Sequence, residues 1–188
     1  MAGRKQSLRI IGGDWRSRKL SFPDLDGLRP TTDRVRETLF NWLAPIIEGM
    51  HGLDLFAGSG ALGLEALSRQ AAHVTFVDTQ APVIQSLREN LQLLGAGERA
   101  NLIQMNAIEF LKADTHQYDL VFIDPPFRKN LLQDCITQLA NSTLLQQGAY
   151  IYIEHGSDET LPELPDSWHL YRSKQAGQVK YHLIKTSA

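Results

Sequence analysis

The chain has 188 residues, a formal net charge of −2 and an ordinary apolar content of 43%. That length suffices for one hydrophobic core and is short for two. No uncharged apolar stretch is long enough to span a bilayer and no signal-type segment is visible, so we expect a cytoplasmic protein without a membrane partner. The single cysteine, Cys135, excludes an internal disulfide. Six scattered histidines lack metal-ligand spacing, so we expect no metal.

Positive charge is concentrated at the start of the chain. Residues 1–40 contain nine Lys and Arg against five Asp and Glu, whereas the remainder contains ten against sixteen. A basic segment on an acidic body favours a nucleic-acid partner, although a solvated surface explains it equally well. Trp15 lies among these cations, where it suits either base stacking or anchoring of the segment to the body.

The first predicted element is a β-hairpin. Residues 8–11 and 14–20 have strand character and flank a glycine pair that favours a turn. We therefore expect residues 1–30 to form a basic arm packed on the body, and residues 31–188 to form the main domain.

A helix is predicted next. Residues 32–33 are good capping residues, and an apolar stripe at helical spacing runs through residues 35–46. Arg34 and Arg36 fall outside that stripe. We therefore expect the helix to present both arginines to a partner.

From residue 52 onward, short apolar strands alternate with amphipathic helices. This pattern predicts an α/β fold of the Rossmann-like type, with a mostly parallel sheet covered on both faces. The last two strands, over residues 168–173 and 179–184, flank a turn segment and are expected to pair antiparallel at one edge. The other predicted strands cover residues 52–56, 74–77, 102–105, 120–123 and 149–153.

Polar side chains follow four of these strands. Asp54, Asp78, Asn106 and Asp124 each lie at a predicted strand end. In open α/β sheets the ligand binds beyond the carboxyl ends of the strands, near the point where strand order reverses. The sequence therefore predicts that these four side chains converge on one site.

The segment Asp124-Pro125-Pro126-Phe127 ends the apolar run 120–123. The Asp124 carboxylate and the Pro125 carbonyl are two acceptors suited to the hydrogens of a planar amine, and Phe127 offers a face for stacking. Both prolines restrict the backbone, so the acceptors keep little conformational freedom. The segment predicts catalysis on a planar amine, with an ordinary proline-containing loop as the alternative.

Residues 58–63, GSGALG, match the glycine-rich pattern G-x-G-x-x-G between a strand and a helix. Such a loop approaches a ligand closely and offers helix N–H groups, for a dinucleotide as much as for S-adenosylmethionine. Asp54 would repel a pyrophosphate and instead favours the positive groups of S-adenosylmethionine. Asp78 suits ribose hydroxyls, with helix capping as its alternative, and Asn106 offers a donor and an acceptor to an adenine.

The segments 54–60 and 124–127 together resemble the motif pair of class I S-adenosylmethionine-dependent methyltransferases that act on exocyclic amines. Residues 29–43, RPTTDRVRETLFNWL, with the preceding RIIGG at 9–13, resemble the RsmD family of ribosomal RNA guanine-N2 methyltransferases. The similarity extends from about residue 8 to Ile184.

This resemblance implies direct methyl transfer from S-adenosylmethionine to the N2 amine of one guanine in 16S ribosomal RNA, on the assembled small subunit. The enzyme is expected to be a monomer. The implied catalytic residues are Asp124, Pro125, Pro126 and Phe127. The implied cofactor contacts are Asp54, Phe56, Ala57, Gly58, Ser59, Gly60, Asp78, Asn106 and Ala107. The implied RNA contacts are Arg16, Arg18, Lys19, Arg29, Thr32, Arg34 and Arg36.

Three alternatives remain on sequence grounds. Within the same class, the amine belongs to a DNA adenine or a protein glutamine. From another class, the glycine loop serves an NAD-dependent oxidoreductase. The third is a catalytically inert RNA-binding module.

Overall fold

The structure, a computed structural model, describes residues 5–25, 31–126 and 131–187. Two short strands and one helix come first. They are β1 (Lys5–Arg9), β2 (Lys19–Pro23) and α1 (Asp33–Leu43). The alternating part then follows as β3 (His51–Asp54), α2 (Ala61–Ser68), β4 (His73–Asp78), α3 (Ala81–Leu94), β5 (Ala100–Gln104), α4 (Ala107–Ala113), β6 (Tyr118–Ile123), α5 (Leu131–Ala140) and β7 (Leu145–Gly156). The last elements are β8 (Trp168–Ala176) and β9 (Val179–Thr186).

The central sheet has seven strands in the order β5-β4-β3-β6-β7-β9-β8. Pairing is parallel from β5 through β7, and β9 pairs antiparallel with both β7 and β8. The predicted parallel sheet with an antiparallel C-terminal pair is thus confirmed, with β8 at the edge. Strand order reverses between β3 and β6, which is where such sheets bind their ligands.

Both faces of the sheet are covered. Leu64 of α2 and Leu87 of α3 belong to one buried cluster, which also includes Leu8 of the hairpin. Phe110 of α4 and Ile136 of α5 belong to the cluster on the other face. Strands buried on both sides explain why the sequence shows nearly continuous apolar runs there.

Cys135 is fully buried within α5, where it packs as a small apolar side chain. Within the described residues, no helix has the length and apolar character needed to cross a membrane. The same part of the chain brings no three His, Cys, Asp or Glu side chains together as metal ligands.

The hairpin differs from its prediction. Its strands lie further apart in sequence than expected, and residues 10–18 form a loop between them. The reason is that α2 supplies acceptors to this loop: Ile11 N–H and Gly12 N–H donate to the Glu65 carboxylate at 2.9 and 2.8 Å, and Asp14 N–H donates to Ser68 O at 2.8 Å. Donors satisfied in this way need no partner strand.

Candidate active site

The point where strand order reverses, which we call the switch point, lies between the ends of β3 and β6. Asp54 is the last residue of β3 and pairs in register with Phe122, two residues before Asp124. Asp78 ends the neighbouring strand β4. The predicted convergence of strand-end carboxylates at the switch point therefore occurs for these three residues.

Asp54 is buried, with 2% of its surface exposed. Its Oδ2 accepts the Gly63 N–H at 3.1 Å, so the carboxylate binds the first turn of α2. Burial and the charge of Asp78 raise the pKa of Asp54 to about 7, against N–H bonds from Gly63 and Phe56 that lower it. Asp54 is therefore not an exposed acid at the end of a strand.

The glycine loop runs from the end of β3 into α2. Gly58 and Gly60 adopt positive φ values of 51° and 77°, which only glycine takes readily. Asp78 fixes the loop, because its Oδ2 accepts the Gly58 N–H at 3.0 Å while its Oδ1 accepts the Gln80 N–H at 2.9 Å. Each oxygen of Asp78 keeps a lone pair for another donor.

The rest of the predicted cofactor segment lies in this loop. Phe56 is half-buried, whereas Ala57 and Ser59 are buried. The Ala57 N–H donates to Val77 O at 3.0 Å, and the Gly60 N–H donates to Ala57 O at 2.7 Å. These bonds hold the loop between the ends of β3 and β4.

Asn106 caps helix α4. Its Oδ1 accepts N–H bonds from Ile108 at 2.9 Å and Glu109 at 3.4 Å, which are typical N-cap contacts. The side chain is exposed and Ala107 is buried behind it. The amide oxygen is therefore committed to the helix, and the Nδ2 group is the part of Asn106 that suits a ligand.

Asp124 directly follows β6 and is partly exposed, with Pro125 buried and Pro126 exposed after it. Burial, followed by the charges of Glu154 and Asp54, raises the pKa of Asp124 well above its usual range. Phe127 lies outside the described residues, so its predicted stacking role stays a prediction.

A second carboxylate lies beside Asp124. The Thr31 Oγ1 is 3.3 Å from Asp124 Oδ2 and 3.4 Å from Glu154 Oε2, and the Tyr152 hydroxyl donates to Glu154 Oε2 at 2.8 Å. Thr31 and Glu154 are 6% and 5% exposed. The site thus contains a buried chain of Tyr152, Glu154, Thr31 and Asp124, which we call the carboxylate chain.

The prediction that Arg36 faces a partner is wrong. Arg36 is 1% exposed, and its guanidinium donates to Asp33 Oδ1 at 2.6 Å and to the Arg9 carbonyl at 2.9 Å, and lies 3.5 Å from Glu65 Oε2. The hairpin covers the side of α1 that lies off the apolar stripe, so Arg36 has a structural role in joining the hairpin to α2.

The other predicted RNA contacts are on the surface. Arg16, Lys19 and Arg34 are exposed. Arg18 is exposed too, but its Nη2 donates to the Leu93 carbonyl at 3.0 Å. Thr32 is exposed and caps α1, its Oγ1 accepting the Val35 N–H at 3.4 Å. Arg29 lies outside the described residues.

Trp15 anchors the hairpin loop. Its ring is half-buried against the cluster of apolar side chains under α2, and the Arg99 guanidinium lies 5.5 Å from the ring centroid. Of the two roles considered for Trp15, the structure supports attachment to the body.

A groove of about 370 Å³ separates the hairpin from the start of α1. Arg9 and Lys19 line it from the hairpin, and Thr31 and Thr32 line it from the helix. Because Thr31 also contacts Asp124, the groove and the carboxylate chain share a residue. The two exposed cations of the groove are thus close to the proposed reaction centre.

Two residues of the site escaped the sequence reasoning. Glu154 directly follows the predicted strand 149–153, so the same strand-end rule that selected Asp124 would have selected it. Glu65 is the one acid in α2, whose side chains are all buried. A charge in a helix that is apolar on every side indicates a buried partner.

The comparisons with known proteins agree with this geometry. The family described as Conserved hypothetical protein 95 matches residues 8–185. Ribosomal RNA small subunit methyltransferase D of Escherichia coli (strain K12) is 52% identical over 96% of this chain and 91% of that protein. The protein of the same name from Haemophilus influenzae is 47% identical over 96% of this chain and 95% of that protein.

A solved structure, the putative methyltransferase yhhF from Escherichia coli, has a TM-score of 0.91 and 49% identity to this chain, covering 97% of this chain and 99% of its own. The predicted resemblance is confirmed over nearly the whole length. The chain belongs to the Conserved hypothetical protein 95 family, with the ribosomal RNA small subunit methyltransferase D proteins among its relatives.

Proposed function

We propose that this protein is an S-adenosylmethionine-dependent ribosomal RNA methyltransferase that modifies the exocyclic N2 amine of one guanine in 16S ribosomal RNA. The observation that carries the proposal is the position of Asp124 and Pro125 at the switch point, beside Asp54 and the glycine loop. One side of this site suits a sulfonium nucleoside and the other suits a planar amine.

The backbone N–H groups and carboxylates of the described residues suit S-adenosylmethionine as a ligand. Residues 56–60 form a loop of tight backbone turns that leads into the N-terminus of α2, which suits a ligand carboxylate. Asp54 places a buried carboxylate under that loop, and it favours a positive ligand because its own negative charge is poorly solvated there. The free lone pairs of Asp78 suit the two ribose hydroxyls.

S-adenosylmethionine, when bound, supplies an electrophilic methyl group on a sulfonium. The chain supplies the orientation of the nucleophile: the Asp124 carboxylate and the Pro125 carbonyl accept the two N–H bonds of the amine and direct its lone pair at the methyl group. Positive charge grows on the nitrogen as it attacks, so the carboxylate stabilises the transition state more than the ground state.

We propose that the RNA approaches along the groove between the hairpin and α1. Arg9 and Lys19 line this groove and are exposed, and Arg34 is exposed on α1. Cations in this arrangement suit phosphates that flank a base, and the guanine itself has to leave its stack to reach Asp124. The proposal retains Arg16, Arg18, Lys19 and Arg34 as phosphate contacts and omits Arg36.

The assembled small subunit is proposed as the substrate, modified by a single copy of the protein. The names of the relatives support ribosomal RNA of the small subunit. A substrate of this kind implies a cytoplasmic location. The division into an arm over residues 1–30 and a main domain over residues 31–188 belongs to the same proposal, since the hairpin supplies the groove cations.

The experiment that tests this function uses the purified protein with methyl-labelled S-adenosylmethionine and small subunits from cells that lack the activity. We expect label in 16S ribosomal RNA, and N2-methylguanosine at one position after nuclease digestion and mass spectrometry. Free 16S ribosomal RNA, genomic DNA and a protein extract serve as parallel substrates. Label in adenine or in glutamine would overturn the guanine assignment.

Asp124→Asn is the matched inactive variant, because it keeps the shape of the side chain and removes its charge. We expect its single-turnover rate to fall at least about a hundredfold, the usual effect of losing one transition-state contact. Calorimetry should show that it still binds the cofactor. Binding of a nicotinamide dinucleotide in place of S-adenosylmethionine would support the oxidoreductase alternative.

A further inference from the structure

The carboxylate chain contains two acids joined by one hydroxyl group. Thr31 Oγ1 lies within hydrogen-bond distance of Asp124 Oδ2 and of Glu154 Oε2, at 3.3 and 3.4 Å. A threonine hydroxyl has a single proton to donate. Two ionised acids would have to share that proton, whereas a protonated acid can donate to the hydroxyl and leave its proton for the other acid.

The other end of the chain accommodates a proton on either acid, and exposure distinguishes the two arrangements. The Tyr152 hydroxyl donates to Glu154 Oε2 at 2.8 Å. If Glu154 carries the proton, each group donates to the next, from Tyr152 through Glu154 and Thr31 to Asp124. Every hydrogen is then used once, and the only ionised oxygen belongs to the residue that is partly exposed.

We propose that Glu154 is a positioning residue for methyl transfer: it is held neutral and, through Thr31, keeps Asp124 as the ionised carboxylate of the pair. The proposal rests on the function proposed above and extends it to residues that touch neither the amine nor the cofactor. It explains why a buried acid and a buried threonine accompany the catalytic aspartate.

Burial gives the same assignment. Glu154 is 5% exposed, and an isolated charge there is costly, whereas Asp124 reaches the surface. Burial raises the pKa of both acids, so the pair retains a proton, and the difference in exposure assigns that proton to Glu154. In the described part of the chain, the other titratable groups that face the carboxylate chain are Asp54 on β3, which acts on Asp124, and Tyr181 on β9, which acts on Tyr152. Among the described residues, no Lys or Arg forms an ion pair with Asp124 or Glu154.

The role in the reaction follows from proton balance. Methyl transfer forms a nitrogen–carbon bond and breaks the sulfur–carbon bond, and the amine then loses one proton. Asp124, ionised beforehand, accepts that proton, which takes the pair from one negative charge to none. If the resting proton were on Asp124 instead, the carboxyl group could not take up the proton that the amine loses.

The first test needs no activity. Infrared difference spectra at pH 7, recorded on the Asp54→Asn background because Asp54 with its pKa of about 7 is itself partly protonated there, should contain the carbonyl band of a protonated buried carboxylic acid. We expect Glu154→Gln to abolish that band and Asp124→Asn to retain it. The opposite pattern would place the proton on Asp124 and overturn the proposal. This result does not depend on the proposed substrate, because no methyl transfer is measured.

The second test is the pH dependence of single-turnover methylation, whose acidic limb reports the ionisation of Asp124. Thr31→Val removes a hydrogen bond to the Asp124 carboxylate, so its pKa should rise and the limb should move to higher pH. On that limb the rate falls about tenfold per pH unit. Thr31→Ser, which retains the hydroxyl, should restore the limb.

A purely structural role for these residues predicts another result. Lost packing would lower the rate of Thr31→Val equally at every pH and leave the limb in place, which would overturn the proposal. Glu154→Gln provides the second criterion. It should leave the limb in place if Glu154 is neutral, whereas removal of an ionised Glu154 would move the limb to lower pH.

Discussion

Arg36 and Glu65 form a buried ion pair, with 3.5 Å between Nη1 and Oε2 and at most 1% of either side chain exposed. Glu65 also accepts two backbone N–H groups of the hairpin loop, from Ile11 and Gly12. Since α2 begins at the glycine loop, one carboxylate links the hairpin, α1 and the proposed cofactor site.

Glu65→Gln should therefore destabilise the protein. The variant places an NH₂ group among N–H donors and removes one of the two carboxylates that Arg36 contacts, while Asp33 remains, so we expect a cost of about 1–3 kcal/mol. Urea denaturation followed by circular dichroism measures this change. Glu37→Gln, an exposed position on α1, is the control and should change the free energy of unfolding by less than about 0.5 kcal/mol. Equal effects of the two variants would contradict the role assigned to Glu65.

Arg34 and Arg36 lie on the same helix and should behave in opposite ways. Arg34→Ala should keep the stability of the protein, weaken RNA binding and reduce the slope of log affinity against log salt by about one. Arg36→Ala should lower the stability instead. Filter binding at several salt concentrations gives the slope, and Arg88→Ala on α3 provides an exposed control with the same loss of charge. An unchanged slope for Arg34→Ala would remove this residue from the proposed interface.

These two arginines also show the limits of the sequence. Helical spacing correctly assigned the apolar stripe of α1, but spacing describes one helix in isolation, and the hairpin covers a second side of it. Asp54, Asp78 and Asp124 were predictable because strand ends in a parallel sheet meet at one edge. Glu154 follows an apolar run in the same way, but the sequence does not show that β7 continues through it and pairs there with β9.

Two substitutions at Asn106 distinguish a helix-capping role of this residue from a role in cofactor binding. Asp caps helices about as well as Asn, so Asn106→Asp should keep the stability of the protein, whereas Asn106→Ala should cost about 1 kcal/mol. If the Nδ2 group donates to the adenine, Asn106→Asp should also weaken cofactor binding, because a carboxylate lacks that donor. Thermal unfolding and calorimetry measure the two effects separately. Unchanged affinity in Asn106→Asp would leave capping as the role of this residue.

Gly63 of the glycine motif is required by packing. A Cβ atom built on it would lie 2.2 Å from Cε1 of Phe76, which is fully buried on β4. Gly63→Ala should therefore destabilise the protein by about 1–3 kcal/mol through overpacking. Phe76→Leu should relieve part of that cost, so a double-mutant cycle should give a favourable coupling. Additive effects would show that α2 shifts away without involving Phe76.

Asp54 should make the stability fall as the pH rises. Its folded pKa of about 7 exceeds the ordinary value of 3.8, so between these values the folded state binds more protons than the unfolded state. The free energy of unfolding then decreases from about pH 4 to about pH 7, by at most about 4 kcal/mol at 1.36 kcal/mol per pKa unit. Below pH 4 both states are protonated, and this contribution is constant.

Asp54→Asn tests that sign, because the amide still accepts the Gly63 N–H and carries no charge at any pH. Urea denaturation at pH 5 and pH 8 should show a smaller loss of stability in Asp54→Asn than in the wild type. Asp124 and Glu154, whose pKa values are also raised, contribute in the same direction to both proteins. Because the charge of Asp54 also raises the pKa of Asp124, the difference between the two proteins reports Asp54 together with its effect on Asp124. A bound positive ligand should favour the ionised carboxylate, so S-adenosylmethionine affinity should fall below pH 7 in the wild type and stay level in Asp54→Asn.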